Sequence, residues 1–262
     1  MKNFNWDYYH TMLERALTAV VPEQTDTYSP VPHGMFLGTL KQKLISRGYE
    51  IDNHTMYCDL TGKKLTGYYT VTNANEAIND LGVLKSLGYK NSYDKSMPVG
   101  FAAGGHVIVC SNGIVKGDLV AFKRKHTGDI MQELSAHMDL AIEKMDEGFA
   151  ELLNQADMMR NYSLTPRQKA EILGIMYFEK NLVTPEQVSV IRNQIKNSDA
   201  FKDSTLWDLY NNTTEALKST HPLNHIRNHS RLHDFMLEIA GDVQPVVETV
   251  VEEAVEAHAI MV

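Results

Sequence analysis

Only two cysteines occur in the 262 residues, Cys58 and Cys110, and each sits in a strand-like run. That excludes a disulfide framework and points to buried, reduced thiols. No apolar run approaches the roughly 18–20 residues needed to cross a bilayer, so no membrane partner is expected. The N-terminus, MKNFNWDYYHTMLERAL, carries acids and polar residues where a secretory leader would be apolar. The chain is therefore expected to stay in the compartment where it is made. There is no nucleotide-binding glycine loop, no zinc signature and no internal repeat. Gly100, Gly104 and Gly105 do not make a dinucleotide fingerprint, because no strand–turn–helix order surrounds them. No cofactor is implied.

Charge of one sign is scarce in two places. The net charge is −8, yet residues 41–125 hold twelve Lys and Arg against seven Asp and Glu, a net of +5. The tail from Asp242 to Val262 has five acids and no Lys or Arg. The middle of the chain is thus judged as its own patch, whatever the overall balance.

The order of elements is sheet first, helices after, which predicts an α+β fold. A first helix is expected over 6–20, where Tyr9, Met12, Leu13, Ala16 and Val20 recur at helical spacing. The proline-rich stretch PEQTDTYSPVPHG is an extended connector, and a second helix follows over 35–47. A hairpin is expected from Met56–Leu60 and Leu65–Val71. A polar stretch containing Leu81, Leu84 and Leu87 separates it from a glycine-dense second sheet segment over 99–122. From Gly128 a long helix carries the stripe Ile130, Leu134, Met138, Ile142, Met145, Phe149 and Leu152. Thr165-Pro166 and Thr184-Pro185 open two further helices; others are expected over 204–218 and 223–240. The architecture so read is an antiparallel, curved sheet of hairpins backed by a long helix, then a helical C-terminal region. Its segments are 1–34 (helix and connector), 35–160 (sheet-containing core), 161–241 (helical region) and 242–262 (acidic and apolar tail).

Two constellations carry chemistry. Lys116, Lys123, Arg124, Lys125 and His126 gather before the long helix, where a phosphate backbone would be attracted. Lys63, Lys64, Lys90 and Lys95 lie near Tyr68, Tyr69 and Tyr93, and bases stack on such rings. Solvated strand ends and packed tyrosines are the ordinary account of the same residues. The second constellation is His221, His225, His229 and His233, four residues apart and so on one broad helix face. His225, His229 and His233 are the metal-ligand candidates; Arg227 and Arg231 between them argue for a plain polar face.

The stretches YSPVPHGMFLGTLKQKLISRGYEI, NSYDKS, GHVIVCSNGIVKGD, RKHTG and STLWDLYNNTTEALKS, in this order, resemble the phage- and plasmid-borne proteins of domain-of-unknown-function family 932. Asn91, Ser92, Asp94, Cys110, Asn112, Gly113, Arg124, His126 and Thr127 match the family pattern. That pattern favours Arg-Asn-Ser-His-Asp at the loop; Lys90 stands at the Arg place and Tyr93 at the His place, which argues against a general-base role there. The resemblance implies a phage or mobile-element protein in a bacterial cytoplasm. It supplies no established activity. At the level of fold alone, the arrangement is loosely similar to phage annealing proteins.

The leading expectation is a nucleic-acid-binding accessory protein acting on single strands, in annealing or in support of replication or recombination. A second is a non-enzymatic module that binds a host factor in counter-defence, with the C-terminal tail as a site for a host or phage protein. A third is a metal-dependent enzyme using the histidine helix. The balance leans away from an enzyme, and a homo-oligomer is compatible with the helical faces.

Overall fold

A computed structural model describes residues 5–73, 82–107, 112–115, 121–124, 126, 130–197 and 204–241. Asn5 starts the first helix: its side-chain oxygen accepts from the Tyr8 amide at 3.0 Å, satisfying one of the free N–H groups of the first turn. This helix, α1, spans Trp6–Thr18 and buries Met12 and Ala16. The connector ends at Pro32, and α2 follows as His33–Ser46. Phe36, Leu40 and Leu44 recur at helical spacing and are fully buried, each stabilising by roughly 1.5–3 kcal/mol.

The sheet is a meander of β1 (Tyr49–Cys58), β2 (Lys64–Asn73), β3 (Val83–Ser92) and β4 (Val99–Val107). Two short strands, β5 (Asn112–Val115) and β6 (Ala121–Arg124), both pair with β4, β5 along its end and β6 along its start. All pairings are antiparallel. The stretch around Leu84 and Leu87, expected as a separator, is strand β3. Its inward positions are Val83, Lys85, Leu87, Tyr89 and Asn91, all buried. A lysine and an asparagine at core positions, with Gly88 between Leu87 and Tyr89, hide the alternation from a sequence reading.

Alternation assigns the two faces of the sheet. Leu65, Tyr69 and Val71 of β2, Leu87 and Tyr89 of β3 and Phe101 of β4 share one hydrophobic core with α1, α2 and α3 (Ile130–Glu143). Thr66, Thr70, Ser86, Gly88 and Ala102 line the opposite face. There Ile226 lies 3.4 Å from where a Cβ on Gly88 would stand.

The expected long helix is two: α3, then α4 (Met145–Asn161) after a break at Lys144. Its apolar stripe serves both cores, Ile130 to Met145 the first and Leu152 the second. The second core adds α5 (Pro166–Gly174), a π-helical turn (Ile175–Glu179), α6 (Pro185–Asn197), α7 (Leu206–Leu217) and α8 (His225–Ala240). Thr165 with Gln168, and Thr205 with Asp208, form capping boxes that start α5 and α7. Gly241, at φ 84°, closes α8 in the left-handed conformation. Among the described residues no helix is long and apolar enough to cross a membrane.

Candidate nucleic-acid interface

Strand register, invisible in the sequence, brings distant residues into line. Tyr57 pairs with Thr66, Thr66 with Lys90, Lys90 with Gly100, and Gly100 with Lys123. Directly opposed residues of antiparallel strands share a face. Tyr57, Thr66, Lys90 and Gly100 therefore make one transverse row, and residue 123 occupies its far end. Four inter-strand steps of ~4.8 Å make the row about 19 Å long. Lys64 pairs with Ser92, one step toward the sheet end.

Two turns flank that end. In the first, Asp59 accepts from the Lys64 amide at 2.9 Å and from the Thr61 hydroxyl at 2.8 Å, and Gly62 adopts φ 71°. A Cβ on Gly62 would stand 2.7 Å from the Ala19 Cβ, so this turn packs directly on the end of α1. Lys63 is exposed. In the second, Asp94 accepts from the Ser96 amide at 3.0 Å and pairs with the Lys64 ammonium at 3.2 Å. Burial pushes the Asp94 carboxyl up, but Ser96 and Lys64 outweigh it and hold the group below the usual carboxylate range. Lys95 is exposed in the left-handed region at φ 64°, its ammonium 4.5 Å from the centre of the Tyr28 ring. The Tyr93 amide donates to the Lys63 carbonyl at 2.8 Å and ties the two turns together.

Behind the turns lies a buried network. Asn91 donates through Nδ2 to the Val31 carbonyl at 2.7 Å and contacts His33 Nδ1 at 2.9 Å. His33 Nε2 meets the Gly62 carbonyl at 3.1 Å. A carbonyl only accepts, so Nε2 carries the proton and Nδ1 accepts from Asn91. Burial pushes His33 down to about 4. The Tyr93 hydroxyl accepts from the His33 amide at 2.7 Å. Ser92 Oγ donates to the Met97 carbonyl at 2.8 Å. The NSYDKS loop thus clamps the proline-rich connector onto the sheet.

Several expected site residues take other roles. Tyr69 and Tyr93 are 3% and 5% exposed. Their rings stack on His54 at 4.1 Å and on His33 at 3.9 Å, so neither offers a face to a base. His126 is 5% exposed, beside the Tyr28 ring at 5.6 Å. Burial lowers its basicity, and it is no surface cation. Lys64 is partly neutralised by Asp94, and the tally of cations over 41–125 also includes Lys43 and Lys85, paired with Asp139 and Asp146. Tyr68 is half-buried. Lys116, Cys110, Lys125, Thr127 and the tail 242–262 lie outside the described residues; Asn112, Gly113, Lys123 and Arg124 are described by their backbone pairing.

The histidine helix is committed to organic partners. His225 Nε2 meets the Thr220 carbonyl at 2.6 Å. His233 Nδ1 meets the Tyr210 hydroxyl at 3.1 Å and its Nε2 the Gln155 carbonyl oxygen at 2.9 Å. His229 is 6% exposed. Among the described residues no three His, Cys, Asp or Glu side chains are grouped to hold a metal ion.

Tyr57, at the near end of the row, is the residue the sequence reading missed. Its only signal is its alternation with the buried Met56 and Cys58.

The family model for the domain of unknown function DUF932 matches residues 24–236. The chain belongs to this family. Among curated proteins and solved structures nothing matches it. The DUF932 match begins within the connector and ends within α8, so it takes in the whole sheet and most of both hydrophobic cores, leaving out α1.

Proposed function

We propose that this DUF932 protein binds single-stranded nucleic acid at the sheet end that carries the two turns, where Lys63 and Lys95 are exposed and Lys90 is half-buried, Thr66 and Gly100 being buried within the transverse row. The supporting observation is the register itself. Pairing in sequence order joins Thr66, Lys90, Gly100 and Lys123, so cations scattered over sixty residues adjoin one sheet end. Lys63 and Lys95 are exposed beside it, and Gly100 contributes no side chain between Lys90 and position 123. Lys63, Lys90, Lys95, Lys123, Arg124 and Lys125 are the phosphate contacts of this reading. In the phage or plasmid setting that the family resemblance suggests, such binding would serve annealing, replication or recombination.

The test is titration of a labelled single-stranded oligonucleotide by fluorescence anisotropy at several salt concentrations. Six such cations engaging about five phosphates give a log–log salt slope of about −3.5, a roughly hundredfold loss of affinity between 50 and 200 mM salt. Replacing Lys123, Arg124 and Lys125 with Ala leaves about two contacts and a slope of about −1.4, or roughly sevenfold over the same range. Absent binding, or binding insensitive to salt, refutes the proposal.

A further inference from the structure

Of the three tyrosines assigned to base stacking from the sequence, Tyr69 and Tyr93 are buried and Tyr68 is half-buried, so a single strand on this row needs another aromatic surface. Helix α1 runs alongside the edge strand β1 in the same direction. The Tyr9 hydroxyl meets His54 Nδ1 at 2.8 Å, Met12 Sδ accepts from the Cys58 amide at 3.4 Å, and the end of the helix rests on Gly62. Tyr8, Arg15 and Ala19 fall on one side of this helix, since three and four residues bring a side chain back to nearly the same bearing. Ala19 and the Arg15 carbonyl touch the Gly62 turn, so that side faces the end of β1 and the turn that carries Lys63. Tyr8 is 45% exposed there. The alternation of β1 pairs Tyr57 with Thr66; at this edge strand its ring still packs on the margin of the first core, and its hydroxyl lies 3.3 Å from His221 Nε2.

We infer that Tyr8 and Tyr57 form the base-stacking platform for a single-stranded nucleic acid at the β1 end of the row, with Arg15 and Lys63 receiving the adjoining phosphates. The inference rests on the preceding reading of the row and names the part of the surface that meets bases rather than phosphates. Each side of the pair is supported independently. The side of α1 that carries Tyr8 and Arg15 faces the end of β1 and the Gly62 turn, and in keeping with that placement burial raises the Tyr8 phenol, Tyr57 raises it further and Arg15 opposes. Tyr57 begins the same register row that ends at position 123. The acids of α1 next to them in sequence, Asp7 and Glu14, lie about 100° round the helix from Tyr8 and Arg15.

The experiment compares an ordinary single strand with an abasic strand of equal length and charge, bound to the full chain and to the variant Y8A/Y57A. Wild type is expected to prefer the strand with bases. Y8A/Y57A is expected to bind that strand roughly 5- to 150-fold more weakly for each stacked ring lost, to bind the abasic strand as wild type does, and to keep the salt slope. Y8F/Y57F, which retains both rings, is expected to restore binding; a role confined to the Tyr57–His221 hydrogen bond would leave it as weak as the alanine variant. If Y8A/Y57A keeps the preference for bases, or wild type has none, the platform is wrong while the phosphate row stands. If wild type binds neither strand, both fall.

Discussion

Replacing Lys85 separates the worth of a buried charge from the worth of the chain that carries it. Lys85 occupies a core position of β3 and is 2% exposed. Its ammonium lies 2.5 Å from Asp146 Oδ1, which also accepts from the Tyr49 hydroxyl at 2.8 Å. The rings of Tyr49 and Phe149 stand 5.7 and 5.4 Å from the nitrogen. The Asp146 side chain is 57% exposed, so the carboxylate keeps much of its hydration whether or not the lysine is present. Desolvating the ammonium costs several kcal/mol, which the pair and the two rings roughly offset. Lys85→Met keeps the buried stem and removes the charge, and should change stability by no more than about 1 kcal/mol. Lys85→Ala removes three buried methylenes at ~0.8 kcal/mol each and leaves a cavity, so it should cost about 3 kcal/mol. Urea unfolding at pH 7 measures both. Acid titration adds a second readout. Burial raises the Asp146 carboxyl, but Lys85 and Tyr49 outweigh it and hold the group below its ordinary range. A depressed carboxyl contributes stability above the unfolded value, lost as pH falls through the folded one. Lys85→Met should show a smaller loss below about pH 4. A methionine variant as unstable as the alanine variant would refute the reasoning, because the charge itself would then be holding the fold together.

Two further outcomes follow from packing and burial. A Cβ on Gly67 would stand 2.4 Å from both the Thr55 carbonyl and the Tyr89 hydroxyl, so Gly67→Ala should cost at least about 1–3 kcal/mol. Gly88→Ala, whose closest contact is 3.4 Å from the Ile226 Cδ1, serves as the mild control; equal melting temperatures for the two would contradict the geometry. Burial pushes both His33 and His54 down to about 4. Between pH ~6.5 and that value the unfolded chain binds protons that the folded chain refuses, so stability is full above the window and falls through it by up to ~1.4 kcal/mol per pH unit for each histidine. Urea midpoints at pH 7.5 and 5.5 should differ accordingly, and His33→Asn should narrow the difference; identical midpoints would show that neither ring is held neutral.

The helices were legible because their signals are local. Phe36, Leu40 and Leu44 repeat at helical spacing, Thr165-Pro166 announces α5, and Pro222 marks the entry to α8. The first hairpin was legible from its turn and its tyrosines. β3 was not, because Lys85 and Asn91 fill core positions through partners far away in sequence, Asp146 for one and Val31 for the other. The same reason misplaced Tyr69 and Tyr93. Tyrosine suits a wet surface and a packed core equally, and what settles Tyr93 is His33, sixty residues earlier, stacked on its ring. Twelve basic residues in the middle of the chain are easily counted, but which of them meet a carboxylate depends on register and packing.

Register also explains why Tyr57 is available at all. Ile51 pairs with Val71 and Asn53 with Thr70, so Asp52 is an extra residue in β1, a bulge. Before it, Tyr49 lies in the first core and Ile51 packs against it; after it, Met56 and Cys58 lie in that core, while Tyr57 is only partly buried at its margin. Strict alternation from Ile51 would have sent residues 53, 55 and 57 inward. The bulge reverses that phase, so Cys58 pairs with the buried Leu65 and Tyr57 with Thr66 on the far face. An unbroken strand would put the Tyr57 ring into the core and the Cys58 thiol at the end of the row. One unpaired aspartate therefore decides whether the edge of this sheet ends in an aromatic ring or in a small thiol.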